Sequence, residues 1–234
     1  MRIRWFHPLL AILAAAAPAA AQDRAVSATD LHGRIEGSSY VSPTGLFRLP
    51  VPVFSSLGGR ITDTPNVVTF SDAFVTHYTL AVLPLDSVQL RELEARGKKD
   101  YLVSFFSNYV LRDFREAIPG SKVDNARFLP GHFNGSLMIY TALPGGSVFG
   151  HRTYQFGSVN ELPVAKRGNL LFIHSNTLYI LSSELAERVI EGVHFTLTVE
   201  EENAVLKKRL IDLSNRIVFA PAKTSPASTT EPAP

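Results

Sequence analysis

Apolar and polar residues alternate over 76–83, with Tyr78, Leu80 and Val82 on one side of the chain and His77, Thr79 and Ala81 on the other. A period of two marks a strand buried on one face. Residues 66–70, across Ser71, Asp72 and Ala73, supply its hairpin partner. Upstream, 35–41 and 46–53 read as short strands joined by the Ser42-Pro43-Thr44-Gly45 turn, and Pro50 and Pro52 push the second towards a sheet edge. The period then changes. From Asp86 or Ser87, both good N-caps, a helix is predicted to run to Ile118 with a weak point at Gly97. Leu102, Phe105, Phe106, Tyr109, Val110 and Phe114 form its apolar stripe, which is read as a core-packing face.

Strands resume at 122–128, 136–142, 148–156, 169–174 and 177–182, with tight connections at Pro144-Gly145-Gly146 and Ser175-Asn176 and a turn read at Arg167-Gly168. Within them 137–140, 170–173 and 178–181 are apolar at every position. An unbroken apolar strand needs cover on both faces. One layer of cover begins at Thr198, which makes a capping box with Glu201 and leads into Leu206, Leu210, Leu213 and Ile217 at helical spacing. A short helix over 184–191, ended by Gly192, is expected to add to it. The predicted fold class is therefore α+β. It is a single antiparallel β-sheet sandwiched between helices (α/β/α), with one long helix after the first strands and one C-terminal helix.

Composition changes the picture at the two ends. Residues 1–21 have Arg2 and Arg4, an apolar run over 5–17, Pro18, and Ala19-Ala20-Ala21 ahead of Gln22. This is the pattern of a signal peptide with cleavage between Ala21 and Gln22. The run is too short for the roughly 20 residues of a membrane-spanning helix, so no membrane span is expected in the mature chain and the expected location is periplasmic or secreted. Residues 22–34 read as a flexible N-terminus, 35–219 as one α+β domain, and 220–234, rich in Pro, Ala, Ser and Thr, as a disordered tail.

Of 23 basic and 21 acidic residues, only Arg2 and Arg4 lie in the leader, so processing leaves 21 against 21. A balanced chain lacks the basic footprint that drives nucleic-acid binding. With no cysteine, disulfides, thiolate metal sites, cysteine nucleophiles and leader lipidation are excluded together. The mature chain exceeds 190 residues, enough to build a core without such staples.

The segment Gly45-Leu46-Phe47-Arg48-Leu49-Pro50-Val51-Pro52, the 67–82 hairpin, and the late hairpin from Gly168-Asn169-Leu170-Leu171-Phe172 to Leu181 resemble the PsbP-like group of exported α/β/α sandwich proteins. The resemblance implies an accessory or assembly factor, since members share no enzymatic activity.

Candidate chemistry is sparse. His32, His77, His132, His151, His174 and His194 show neither His-x-His nor His-Glu-x-x-His spacing, so no metal or cofactor is expected. No nucleophile elbow or phosphate loop occurs, and Asn134-Gly135-Ser136 reads as a turn before a glycosylation sequon. His77 and His151 alternate with apolar neighbours on predicted strands, and Arg152 shares an apolar, aromatic strand face with Val148, Tyr154 and Phe156. His77, His151 and Arg152 are therefore the candidate ligand-binding residues, with no catalytic residue assigned. The expected function is a non-catalytic accessory, assembly or binding protein of the cell envelope, partnered by another envelope protein. The alternative is a small periplasmic hydrolase or ligand-binding protein with a pocket at those three residues.

Overall fold

The computed structural model describes residues 26–28, 30–73, 77–144, 164–185 and 197–221. The expected strand at 148–156, the cleavage site Ala21/Gln22, His151, Arg152, His194 and the tail beyond 221 lie outside these residues.

The strands are β1 (Ser27–Ala28), β2 (Arg34–Glu36), β3 (Ser39–Val41), β4 (Phe47–Pro50), β5 (Arg60–Asp63), β6 (Val67–Ser71), β7 (His77–Pro84), β8 (Lys122–Leu129), β9 (Ser136–Pro144), β10 (Val164–His174), β11 (Thr177–Leu185) and β12 (Val218–Phe219). Helices α1 (Ser87–Arg96), α2 (Lys98–Phe105) and α3 (Leu111–Ala117) follow β7, and α4 (Val199–Ser214) precedes β12.

The expectation of a single sheet is corrected. Eight strands form one sheet in the order β1-β5-β6-β7-β11-β10-β9-β8, and a second sheet holds β12-β4-β3-β2. All pairs are antiparallel except β1 with β5. Two local features divide the early strands between sheets. The stretch read as one strand over 35–41 doubles back at Gly37, whose φ of 59° suits a residue without a Cβ. Pro50 and Pro52 then end β4, so the chain leaves that sheet through a 3-10 turn at Ser55–Leu57 before entering the large one at β5.

Both faces of the large sheet are covered, as the unbroken apolar strands require. One face carries Val68, Leu80, Leu170, Phe172, Tyr179 and Leu181 beneath α4 and the second sheet. The other carries Leu137, Ile139, Leu171, Leu178 and Ile180 beneath the α1–α3 helices. Helix α4 starts at the Thr198–Glu201 capping box and buries Leu206, Leu210 and Leu213. It seats closely on β10, where a Cβ at Gly168 would come within 2.9 Å of Leu210 Cδ1 and 3.2 Å of Leu206 Cβ. Arg167-Gly168 is thus mid-strand and not a turn, because a glycine is what the overlying helix demands. Glu184 and Leu185, read as the start of a helix, continue β11 in register with β10.

The long helical region begins with a capping box between Asp86 and Gln89 and breaks at Gly97, φ 75°. Its apolar stripe is displaced from the predicted one. A π-helical turn over Phe106–Val110, in which the Leu111 amide donates to the Phe106 carbonyl, inserts an extra residue and rotates the helix face. Leu111 is consequently buried, and Tyr109 is turned out to 53% exposure. No described helix is long and apolar enough to cross a membrane.

Candidate functional site

Of the three predicted ligand-binding residues, His77 alone is among the described residues. It opens β7, half-buried, on the helix-covered face of the large sheet with Thr79. On that face the register sets Arg167 of β10 opposite Glu184 of β11 and Thr141 of β9. The next row sets Asn169 opposite Ser182, which is opposite Thr79. A polar band therefore crosses the middle strands.

Arg167 ties the band together. Its Nη2 donates to Thr79 Oγ1 at 3.0 Å and its Nε to Asn169 Oδ1 at 3.3 Å, while Nη1 stands 3.7 Å from Glu184 Oε1. Ser182 Oγ also donates to Asn169 Oδ1, at 2.9 Å. The guanidinium lies 5.3 Å from the centre of the Phe114 ring on α3, a cation–π distance. Burial draws its pKa below the ordinary arginine value, against the opposing pull of Glu184. Glu184, Asn169 and Thr141 are wholly shut from solvent. In this state the band is part of the sheet's interior, and what it does chemically is pair strands.

The remaining described histidines also serve the frame. His132 Nδ1 is 3.0 Å from Ser136 Oγ and its Nε2 is 3.2 Å from Ser214 Oγ, linking the β8–β9 loop to α4. Burial pushes its pKa down, opposed by a hydrogen bond with Asn215. His174 stacks on Phe219 with centroids 4.1 Å apart. Among the described residues no three His, Asp or Glu side chains converge to hold a metal ion.

A second place, not anticipated from the sequence, is an apolar groove of about 500 Å³ between the terminal strands of the two sheets. Val26 and Ala28 wall it from the β1 side, Ile35 from β2, and Val53, Phe54 and Ile61 from the β4–β5 connection and β5. No ionisable side chain lines it among the described residues. Its volume and greasy lining fall in the range of ligand-binding clefts. Phe54 is 62% exposed and Ile35 41%, so two large apolar side chains stand open to water beside the groove.

Strand β1 pairs with β5, and one carboxylate of β5 fixes the chain that follows β1. Asp63 Oδ1 accepts from the His32 amide at 2.8 Å, and Oδ2 accepts from the Gly33 amide at 2.8 Å and from the Tyr40 hydroxyl at 2.6 Å. The described residues 26–28 and 30–33, part of the 22–34 stretch read as a flexible N-terminus, are therefore docked, and Val26 and Leu31 pack against the core. Burial alone would raise the Asp63 pKa, but these three hydrogen bonds outweigh it and hold the carboxyl below its ordinary value of 3.8. A depressed carboxylate stabilises the fold fully above 3.8, and that contribution disappears as pH falls through the lower, folded-state value. Asp63→Asn is expected to cost about 1.5 to 3 kcal/mol at neutral pH, the worth of a hydrogen bond to a charged acceptor. Urea unfolding of both proteins from pH 7 to pH 2 checks this. The gap between them should close below pH 3.8, and a gap constant with pH would disprove the assignment.

No family model matches the chain, and no curated protein matches it. Solved structures do. The solution structure of cyanobacterial PsbP (CyanoP) from Synechocystis sp. PCC 6803 is similar at 12% identity and a TM-score of 0.47, covering 80% of this chain and 98% of that one. A point mutant of protein Mog1 is similar at 7% identity and a TM-score of 0.45, over 79% of this chain and 96% of that one. A crystal structure from Bacteroides thetaiotaomicron VPI-5482 is similar at 8% identity and a TM-score of 0.36, over 80% of this chain and 50% of that one. The first of these is a PsbP protein, the group that the sequence resembles.

Proposed function

We propose that the protein is an exported, non-catalytic binding or assembly factor that holds an extended apolar segment of another envelope protein in the groove between its two sheets. The observation that carries this reading is the groove itself: about 500 Å³, uncharged in its described lining, and set between β1 and β2, the strands that end each sheet. A terminal strand offers unpaired backbone N–H and C=O groups, and an apolar cleft beside it accepts alternate side chains of a strand laid along that edge. The leader pattern of residues 1–21 supplies the expectation of export.

Synthetic peptides of alternating apolar pattern, titrated against the purified protein, test it. They should bind, and Phe54→Asp or Ile35→Asp should each weaken binding about ten-fold or more, a loss of about 1.4 kcal/mol. Both positions are exposed, so the thermal midpoint should not move. The reading fails if apolar peptides bind no better than charged ones of equal length, or if Phe54→Asp binds as the unaltered protein does.

A further inference from the structure

We propose that the protein pairs with a second copy of itself, β8 against β8, about a two-fold axis at Ala126, so that the large sheet continues across the dimer. This edge lies at the opposite end of the large sheet from β1 and the groove, and the proposal stands without the groove. Four strands end the two sheets, and three of them are stubs: β1 has two residues, β2 three and β12 two. The fourth, β8, runs over Lys122–Leu129, pairs with β9 alone among the described strands, and has six exposed residues, Val123 among them at 39%. A long open edge is a row of unpaired N–H and C=O groups, a template for another strand. On the α4 side the helix does not roof it, for a cleft of about 240 Å³ opens there, lined by Asn125, Arg127 and Leu129.

The two faces of β8 differ. Asn125, Arg127 and Leu129 lie on the α4 side, where Asp124 also reaches Lys166 Nζ at 2.8 Å. Phe128 packs with the side chains beneath α1–α3, and Val123 stands opposite Thr141 on that side. A bulge sets Asp124 between Val123 and Asn125, whose partners on β9, Thr141 and Tyr140, are consecutive, so Val123 takes the ladder place next to Asn125. A two-fold axis perpendicular to the sheet makes the two copies of β8 antiparallel and keeps each face on its own side. The axis must then stand level with one residue of β8.

Charge selects that residue. An axis at Asn125 sets Arg127 opposite Lys122, and an axis at Arg127 sets that guanidinium opposite itself. Like charges directly opposed destabilise a strand pair. Axes nearer either end leave most of β8 unpaired. The axis at Ala126 opposes no like charges: Asn125 faces Arg127, with Asp124 of opposite sign beside it, Lys122 faces Leu129, and Val123 faces Phe128, which covers an exposed valine with an aromatic ring. Edge charges commonly forbid self-pairing, and here they permit it in one register. The strand is complementary to its own two-fold copy, and this commits the edge to a second copy of the chain.

Sedimentation of the full chain over a range of concentrations tests the proposal, with a monomer–dimer equilibrium expected. Asn125→Lys, facing Arg127 of the second copy, should weaken the dimer about ten-fold or more, and Asn125→Lys combined with Arg127→Glu should restore it. Both positions are exposed, so the thermal midpoint of the dilute protein should not move. Because the chain has no cysteine, Ala126→Cys brings one thiol per copy to the axis, and mild oxidation should give a covalent dimer. Val88→Cys, on α1 at a residue 60% exposed, should not cross-link. A chain monomeric at every concentration, a dimer unweakened by Asn125→Lys, or cross-linking no better through Ala126→Cys than through Val88→Cys would overturn the proposal.

Discussion

Glu184→Ala is expected to destabilise the protein by about 3 to 5 kcal/mol, whereas Arg167→Met combined with Glu184→Leu should be close to neutral. The two side chains sit opposite each other on β10 and β11, with Glu184 at 0% and Arg167 at 7% exposure. Removing the carboxylate takes the facing anion from a guanidinium that cannot reach water, and arginine does not shed its proton to escape. Replacing both removes the desolvation cost of each charge together with their attraction. Urea unfolding of the single and double variants makes the comparison. A single variant costing under about 1 kcal/mol, or a double variant as unstable as the single one, would show that the pair does not carry this energy.

The same pair reinforces the register that the two-residue Ser175-Asn176 turn sets between β10 and β11. Residues 170–173 and 178–181 are apolar throughout, so sliding β10 past β11 by two residues would keep every apolar side chain on an apolar face. It would also set Arg167 away from Glu184 and Asn169 away from Ser182. The polar band penalises such a slip where the apolar residues do not. The double variant is therefore expected to retain stability while showing doubled amide resonances along β10 and β11.

What the sequence disclosed follows the range of the interactions concerned. Capping at Asp86 and Thr198, the break at Gly97 and the two-sided burial of the late strands are set by residues near in sequence, and all were readable. The second sheet was not, because β4 finds β12 only after the rest of the domain has intervened, with Phe47 opposite Phe219. Arg167 was misread for a related reason. An Arg-Gly pair resembles a turn until Leu206 and Leu210, far along the chain, are seen to need the space above Gly168. His77 was placed on the correct sheet face, but its polar neighbours come from strands whose partners were unknown. The apolar groove joins β1, β2 and β5, which no local pattern associates.

Phe172→Ala should cost about 3 to 5 kcal/mol and, beyond that, loosen the second sheet from the first. Phe172 is fully buried on β10 and lies parallel to Tyr179, with centroids 5.2 Å apart and planes 6° apart. Phe133 stacks on it at 4.1 Å, and Phe219 of β12 meets it edge-on at 6.2 Å. Tyr179 in turn meets Phe47 of β4 at 6.4 Å and Phe219 at 5.2 Å. Phe172 is thus the base of an aromatic stack that reaches both strands of the second sheet's β4–β12 pair. Deleting it leaves a cavity beneath that pair. Leu171→Ala is the control, since Leu171 is equally buried but faces the helices on the other side, and should cost about 2 to 5 kcal/mol. Hydrogen exchange separates the two. Amides in the β3–β4 and β4–β12 ladders should exchange faster in Phe172→Ala than its global destabilisation accounts for, and in Leu171→Ala only in proportion to it. Equal effects of the two variants on those amides would mean that the second sheet is held to the first by something other than this stack.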